Sequence, residues 1–163
     1  MPLGISKATV GIKFFTKEWE KWIHETHEKI KKRRYTNAKC TAHIGKWIQD
    51  NFKSEGTLAI GGGGWEPLSD LTIALRRNKG RESTRILQDT GNLKNRWKRF
   101  YTDRDAYIES GVDYGWKHEL GDKNNTWNGY PAPIPQRKIL PTKSQIWPGI
   151  QKIYKIFLNK VLR

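Results

Sequence analysis

Apolar side chains recur at helical spacing in three segments of the chain, which predicts three amphipathic helices. The first helix covers residues 14–34 and the second roughly 38–53, with Asn37 as its N-cap, so that the two predict an N-terminal helical hairpin. The third pattern is the clearest, and Pro148 requires this helix to begin near Ser144 or later. Its apolar stripe consists of Ile146, Ile150, Ile153, Phe157 and Val161.

Between the helical segments, the pattern of apolar and polar positions predicts shorter elements. Residues 97–102 and 106–110 alternate in polarity around the turn at 103–105, which predicts a β-hairpin. Residues 114–120 predict a short helix that ends at Gly121, because glycine accepts the conformation found at helix ends. The remaining segments are predicted to be loops at 78–85 and 121–135 and a short strand at 137–140.

Glycines and capping residues divide this central region further. The run of glycines at 61–64 interrupts regular structure, and Ser69 can then cap a helix that extends to about Arg77. Asp89 or Thr90 can cap a later helical turn that leads into the hairpin.

These elements predict an α+β fold in which a small antiparallel sheet is packed by helices. We expect a single domain over residues 1–163, with the helical hairpin in 1–55 and the α+β core in 56–163. The long loops at 56–66 and 121–135 lie within that core, and a C-terminal amphipathic helix completes it.

The composition changes the picture mainly through charge. The 163 residues include 31 Lys and Arg against 16 Asp and Glu, a net charge of +15. A single cysteine, Cys40, excludes an intrachain disulfide, and no apolar run approaches the roughly 18 residues of a membrane span. The N-terminus lacks the apolar core of a signal peptide, so we expect a soluble intracellular product with affinity for polyanions.

Two groups of basic residues are candidates to face a polyanion, and they give an alternative function. On charge alone, the chain could be a nucleic-acid-binding protein without sequence specificity, because it has no helix–turn–helix, zinc-finger or RNA-recognition signature. The candidate residues are Lys31, Lys32, Arg33, Arg34, Lys152, Lys155 and Lys160.

One triplet, Asp89-Thr90-Gly91, matches the signature of aspartic proteases, which pair two carboxylates around a shared proton. A single copy would require a homodimer in an almost wholly β fold, whereas a basic, helix-like segment follows here. A helix cap and tight turn is therefore the preferred interpretation. His24 and His27 have a spacing compatible with metal ligation, but no partner ligands complete a site, so we expect neither metal nor cofactor.

The order of short motifs between residues 65 and 157 resembles that of the phage virion-morphogenesis, or tail-completion, family of Mu-like phages and prophages. The matching segments are Trp65-Glu66-Pro67-Leu68-Ser69 with Thr72, Ile86-Leu87-Gln88-Asp89-Thr90-Gly91-Asn92-Leu93, Tyr114 to Gly121 with His118 between them, and Pro135 to Leu140, before a closing helix. The motif residues are Trp65, Pro67, Leu68, Ser69, Asp89, Thr90, Gly91, Leu93, Tyr114, His118, Gly121, Arg137 and Leu140.

This resemblance implies a non-enzymatic structural protein of the head–tail junction, located in the virion tail or neck and in the host cytoplasm during assembly. It implies a homo-oligomeric ring, commonly a hexamer, which completes or terminates the tail and contacts other neck and tail proteins. Within such a ring, part of the positive charge would face packaged DNA or acidic neighbours without reading bases. Trp65 and Leu68 would anchor the glycine loop to the core, and His118 and Gly121 would close the short helix against the sheet.

Overall fold

The computed structural model describes residues 17–59, 63–81 and 84–163. These residues form an α+β fold with an N-terminal helical hairpin and a C-terminal helix, as predicted. The first three residues of the predicted helix at 14–34, the first two glycines of the run at 61–64 and part of the loop at 78–85 lie outside the described residues. The elements in this part of the chain are α1 (Lys17–Lys31), α2 (Arg34–Lys53), α3 (Asp70–Asn78), α4 (Asn92–Asn95), β1 (Trp97–Tyr101), β2 (Ala106–Ser110), α5 (Gly115–Leu120), β3 (Thr126–Trp127), β4 (Tyr130–Pro131) and α6 (Lys143–Val161).

The second helix begins earlier than predicted, and Asn37 is not its N-cap. The Arg34 amide donates to Oδ1 of Asp103 at 2.8 Å, so a residue from the distant β-turn satisfies the start of the helix. Asn37 is instead buried in the first turn of α2. Its amide nitrogen donates to the Thr102 carbonyl at 2.8 Å, and its amide oxygen accepts from the Tyr154 hydroxyl at 2.7 Å. This side chain therefore joins α2 to the β-hairpin and to α6.

The apolar core forms on one face of α2 and is small. Phe52 and Trp65 meet edge to face in it, with ring centroids 5.2 Å apart and planes at 77°. By contrast, α3 and α6 bury no residue completely, and α1 buries only Thr26. Among the described residues, the buried apolar side chains are Cys40, Ile48, Phe52, Trp65, Ile86, Leu93 and Ile139. Much apolar surface on the outer helices consequently stays exposed in a single copy.

The predicted hairpin is confirmed as an antiparallel pair of β1 and β2, in which Trp97 lies opposite Ser110 and Tyr101 opposite Ala106. One face of this pair packs on α2. Gly45 of α2 lies at this contact, but the packing would also accommodate a methyl group there. A Cβ atom built there would lie 3.7 Å from Cδ of Arg99.

The predicted loop at 121–135 contains a second, shorter hairpin. β3 and β4 pair antiparallel across Asn128 and Gly129, whose φ angles of 50° and 81° are both positive. Two successive positive φ angles define the type I′ turn that joins tightly paired strands. The loop prediction was therefore wrong at residues 126–131.

The predicted strand at residues 137–140 is not a strand, and we call residues 136–140 the strap. No strand in the described part of the chain pairs with the strap where it crosses the core, because side chains satisfy its backbone. Oε2 of Glu119 accepts from the amides of Ile139 and Leu140 at 2.6 and 3.0 Å.

The carbonyl groups of the strap are satisfied in the same way. The Lys138 carbonyl accepts from the amide nitrogen of Asn51 and from the indole nitrogen of Trp65, both at 2.9 Å. Both donors come from elements far earlier in the chain. The strap is therefore held in place by three separate parts of the fold.

The C-terminal helix α6 begins with a capping box formed by Thr142 and Gln145. It starts one residue before the predicted limit and accommodates Pro148 in its second turn. The helix packs on α2 and α1. Its close approach to α2 depends on Gly149, because a Cβ atom there would collide with the imidazole ring of His43. In the part of the chain that the structure describes, no helix is both long and apolar enough to cross a membrane.

Candidate functional site

Most of the motif residues lie around one cleft of about 690 Å³. Its walls come from the segment before α3, from α3 itself, from the turn before α4, from α5 and from the proline-rich segment at 133–135. The motif residues that line the cleft are Pro67, Leu68, Ser69, Asp89, Thr90, Leu93, Tyr114, His118 and Arg137. Positions distant in sequence therefore converge on a single surface feature.

Arg137 connects two walls of this cleft, the segment before α3 and the helix α5. It is only 7% exposed, and its Nε and Nη2 atoms donate to the Glu66 carbonyl at 3.3 and 3.1 Å. Its backbone amide donates to the His118 carbonyl at 2.7 Å. Burial lowers the pKa of this guanidinium, and the negative charge of Glu66 opposes that change. An arginine retains its charge in proteins, so the buried guanidinium acts as a cationic cross-link.

The imidazole of His118 lies beside this cross-link. Burial, together with the positive charge of Arg137, lowers the pKa of His118 from 6.5 to about 4. The ring packs edge to face on Tyr114, with centroids 6.3 Å apart. Its buried Nδ1 atom has no hydrogen-bond partner among the described residues. The side chain is therefore neutral at pH 7 and belongs to the packed wall of the cleft.

Asp89 does not cap a helix, contrary to one of the sequence predictions. Its carboxylate forms ion pairs with Arg76, where Nε lies 3.6 Å from Oδ1, and with Nη1 of Arg81. These pairs hold the end of α3 and Arg81, three residues beyond it, against the turn before α4. This carboxylate faces two guanidinium groups, whereas the aspartic-protease arrangement would place a second carboxylate beside it.

The rest of the triplet forms the turn. Gly91 is the N-cap of α4 and has a φ of 74°, a conformation that glycine adopts at little cost. The hydroxyl of Thr90 accepts from the Asn92 amide at 3.4 Å, two residues on. Leu87 also has a positive φ, 58°, which is unusual for a residue with a large side chain. The turn is therefore tightly bent immediately beside the cleft.

Ser69 caps α3 as predicted, since its hydroxyl accepts from the Thr72 amide at 3.3 Å. Trp65 lies in the core rather than in the cleft, and its backbone amide donates to the Glu55 carbonyl at 2.7 Å. Gly56 lies directly beneath the Trp65 indole, where any side chain would collide with the ring. Trp65 therefore fixes the two ends of the loop that contains the glycine run.

The other motif residues support the strap. Gly121 ends α5 with a φ of 76°, as predicted, and lies against the backbone of Gln136. Leu140 contributes its amide to the Glu119 contact, while its side chain is exposed. The sequence interpretation missed Asn51 and Glu119, although they hold the strap. A signal existed for Asn51, which lies on the apolar face of α2 beside Phe52.

The basic candidate residues are only partly available to a partner in this copy. Lys31 pairs with Glu28 at 2.7 Å, and Arg33 donates to the Asp103 carbonyl at 3.2 Å. The other basic candidate residues include three exposed lysines of α6, namely Lys152, Lys155 and Lys160. His24 and His27 are exposed on α1, and no set of three metal-ligating side chains comes together in the described ranges.

The chain folds as an α+β domain in which most of the motif residues line one cleft and the others support the strap. A model of the phage virion morphogenesis family matches residues 16–156, and the chain belongs to this family. The resemblance found in the sequence is thereby confirmed at the level of the family, and it gives the chain a role in building the phage virion. Neither the curated proteins nor the solved structures contain a match.

Proposed function

We propose that this protein is a structural component of the head–tail junction, which forms a ring that completes or terminates the tail and helps to join it to the head. The observation that carries the proposal is the structural role of the motif residues. Asp89, Ser69 and Arg137 use their polar groups in an ion pair, a helix cap and a hydrogen bond between segments of the chain. Such residues shape a contact surface rather than perform a reaction, so we propose no catalytic role.

Exposed aromatic side chains support contacts with other subunits. The β3–β4 hairpin presents Trp127 and Tyr130, which are 59% and 75% exposed. On α1, Trp19 and Trp22 stack at 4.9 Å and both remain exposed. Aromatic side chains are favoured at protein interfaces because they bury a large area at little entropic cost. We infer that these surfaces contact neighbouring copies or other neck and tail proteins.

The positive charge fits the same role. A ring would multiply the net charge of +15 per copy, and the exposed lysines of α6 are available to face DNA in its lumen. Contacts of this kind act through phosphate groups and do not depend on base sequence. We propose that the protein guides a passing genome or binds acidic neighbours.

Mass photometry and negative-stain microscopy of the purified chain test this proposal. We expect ring-sized particles, alone or with tail components, and weaker assembly when Trp127 and Tyr130 are both changed to Ser. Tyr35→Ser, which removes an equally exposed aromatic from α2, is the matched control. A strictly monomeric protein at high concentration, still monomeric with tail components present, would contradict the proposal. If that monomer bound short duplex DNA with a steep salt dependence, the nucleic-acid-binding alternative would be favoured instead.

A further inference from the structure

The β1–β2 hairpin has two open edges. In an antiparallel pair, alternate residues direct both backbone groups away from the partner strand. The Gly111 amide donates to the Arg96 carbonyl and the Thr102 amide to the Asp105 carbonyl, which fixes the residues that face inward. Among the described residues, no other strand pairs with either edge. The outward residues are Trp97, Arg99 and Tyr101 on β1 and Ala106, Ile108 and Ser110 on β2.

These two edges carry opposite charge. Residues 92–101, which contain β1, include four basic side chains and no acidic one. Residues 105–113, which contain β2, include three acidic side chains and no basic one. The basic residues are Lys94, Arg96, Lys98 and Arg99, and the acidic residues are Asp105, Glu109 and Asp113. The β1 edge of one copy is thus electrostatically complementary to the β2 edge of another.

The two faces of the hairpin are also compatible with an added strand. On the outer face Phe100 stacks on Tyr107 at 4.9 Å, and Lys98 lies opposite Glu109. On the other face Ile108 packs toward α2. A strand that joins in the same register extends the aromatic and charged rows on one face, and on the other face it places Arg99 beside Ile108, as within the hairpin.

We propose that the β2 edge of one copy pairs antiparallel with the β1 edge of the next, with Ile108 opposite Arg99. This register places Glu109 opposite Lys98 of the neighbouring copy, in a position where the two side chains are close and no backbone hydrogen bonds intervene. The inference rests on the proposed ring and names its interface. Each copy contributes one edge of each kind, so the contact is head to tail and a closed ring leaves no edge unpaired.

Disulfide trapping between two single variants tests this pairing. The full-length chain is prepared separately as Lys98→Cys and Glu109→Cys, and the two are mixed under mild oxidation. Neither variant alone can form a 98–109 bond, and the native Cys40 is buried. We expect covalent dimers only in the mixture, because paired positions of this type have the Cα separation that a disulfide needs.

Charge reversal gives a second measurement. We expect Glu109→Lys to raise the concentration for half-assembly by roughly tenfold or more, because it places a lysine opposite Lys98 of the neighbouring copy, in addition to Lys98 of its own hairpin. The double variant Lys98→Glu with Glu109→Lys restores opposite charges and should restore assembly. Glu20→Lys, an equal charge change on the exposed surface of α1, is the control. Urea midpoints of all variants separate assembly from folding.

The outcomes distinguish this inference from the proposed function. Rings that give no covalent dimer in the mixture would overturn the edge pairing and leave the ring proposal intact. Covalent dimers from either variant alone would indicate a two-fold contact and would also overturn it. Monomers with no cross-link under any condition would contradict both proposals.

Discussion

Protonation of His118 should couple the stability of the whole domain to pH. Burial and the charge of Arg137 lower the pKa of this imidazole from 6.5 to about 4 in the folded protein. The unfolded chain therefore binds a proton at a higher pH than the folded chain. As the pH falls from about 6.5 to about 4, the unfolded state gains this proton first and the free energy of unfolding decreases.

The size of the effect follows from the change in pKa. Each pKa unit corresponds to about 1.4 kcal/mol, so the change at His118 corresponds to a loss of roughly 3 kcal/mol across this window. Below about pH 4 the contribution is fully lost, and above about pH 6.5 it is fully present. In His118→Gln this contribution disappears, because the amide does not titrate there.

Urea unfolding followed by tryptophan fluorescence at pH 7.5 and pH 4 measures the effect in both proteins. We expect wild type to lose roughly 3 kcal/mol more than His118→Gln between these pH values. His24→Gln, which changes an exposed histidine on α1, is the control substitution. Equal pH dependence in wild type and His118→Gln would refute the reasoning from burial.

Three further substitutions test other contacts by the midpoint of urea unfolding. Gly56→Ala should lower the free energy of unfolding by about 3 kcal/mol or more, because alanine is strained at a positive φ and its methyl group collides with Trp65. Gly80→Ala has the same strain without the collision, so it should lower the free energy of unfolding by only about 1 kcal/mol. Asn51→Asp should lower the free energy of unfolding by at least about 3 kcal/mol, because a buried carboxylate replaces the amide nitrogen that donates to two strap carbonyls. An unchanged urea midpoint would contradict these strap contacts. Tyr154→Phe should lose about 1 to 2 kcal/mol with its hydrogen bond to the buried amide on α2, and a variant as stable as wild type would show that this bond contributes nothing.

Local rules in the sequence were sufficient for much of the fold. The cap at Ser69, the end of α5 at Gly121 and the alternation in β1 and β2 depend on neighbours in the chain, and each was predicted. The start of α2 was not, because its cap comes from Asp103 in a distant turn. A single sequence carries no mark of such a contact.

The hairpin at 126–131 is a different case, because its signal was present. Asn128-Gly129 between Trp127 and Tyr130 is the pattern of a type I′ turn, but the surrounding prolines and asparagines favoured a loop. The strap could not be predicted, since a short segment that ends in Ile139 and Leu140 is equally compatible with a strand. What holds it is a set of side chains from three distant places, namely Asn51, Trp65 and Glu119.

For the candidate site, the order of the motifs identified the residues but not their roles. The structure brings most of them to one cleft, which no spacing in the sequence reveals. Asp89 is the clearest example, because its position in a turn was predicted while its two arginine partners were not. Charge pairs between segments depend on the tertiary fold, which the sequence pattern does not contain.

The strap also determines when the protein can fold. Its contacts join residues 87 positions apart, from Asn51 to Lys138, and 73 positions apart, from Trp65 to Lys138. Closing loops of this length costs chain entropy before any contact is gained, so folding should be slow for a domain of this size. During synthesis the core cannot close until Ile139 has left the ribosome. A nascent chain shorter than this exposes its tryptophans, and the finished surface of the fold forms only after that point.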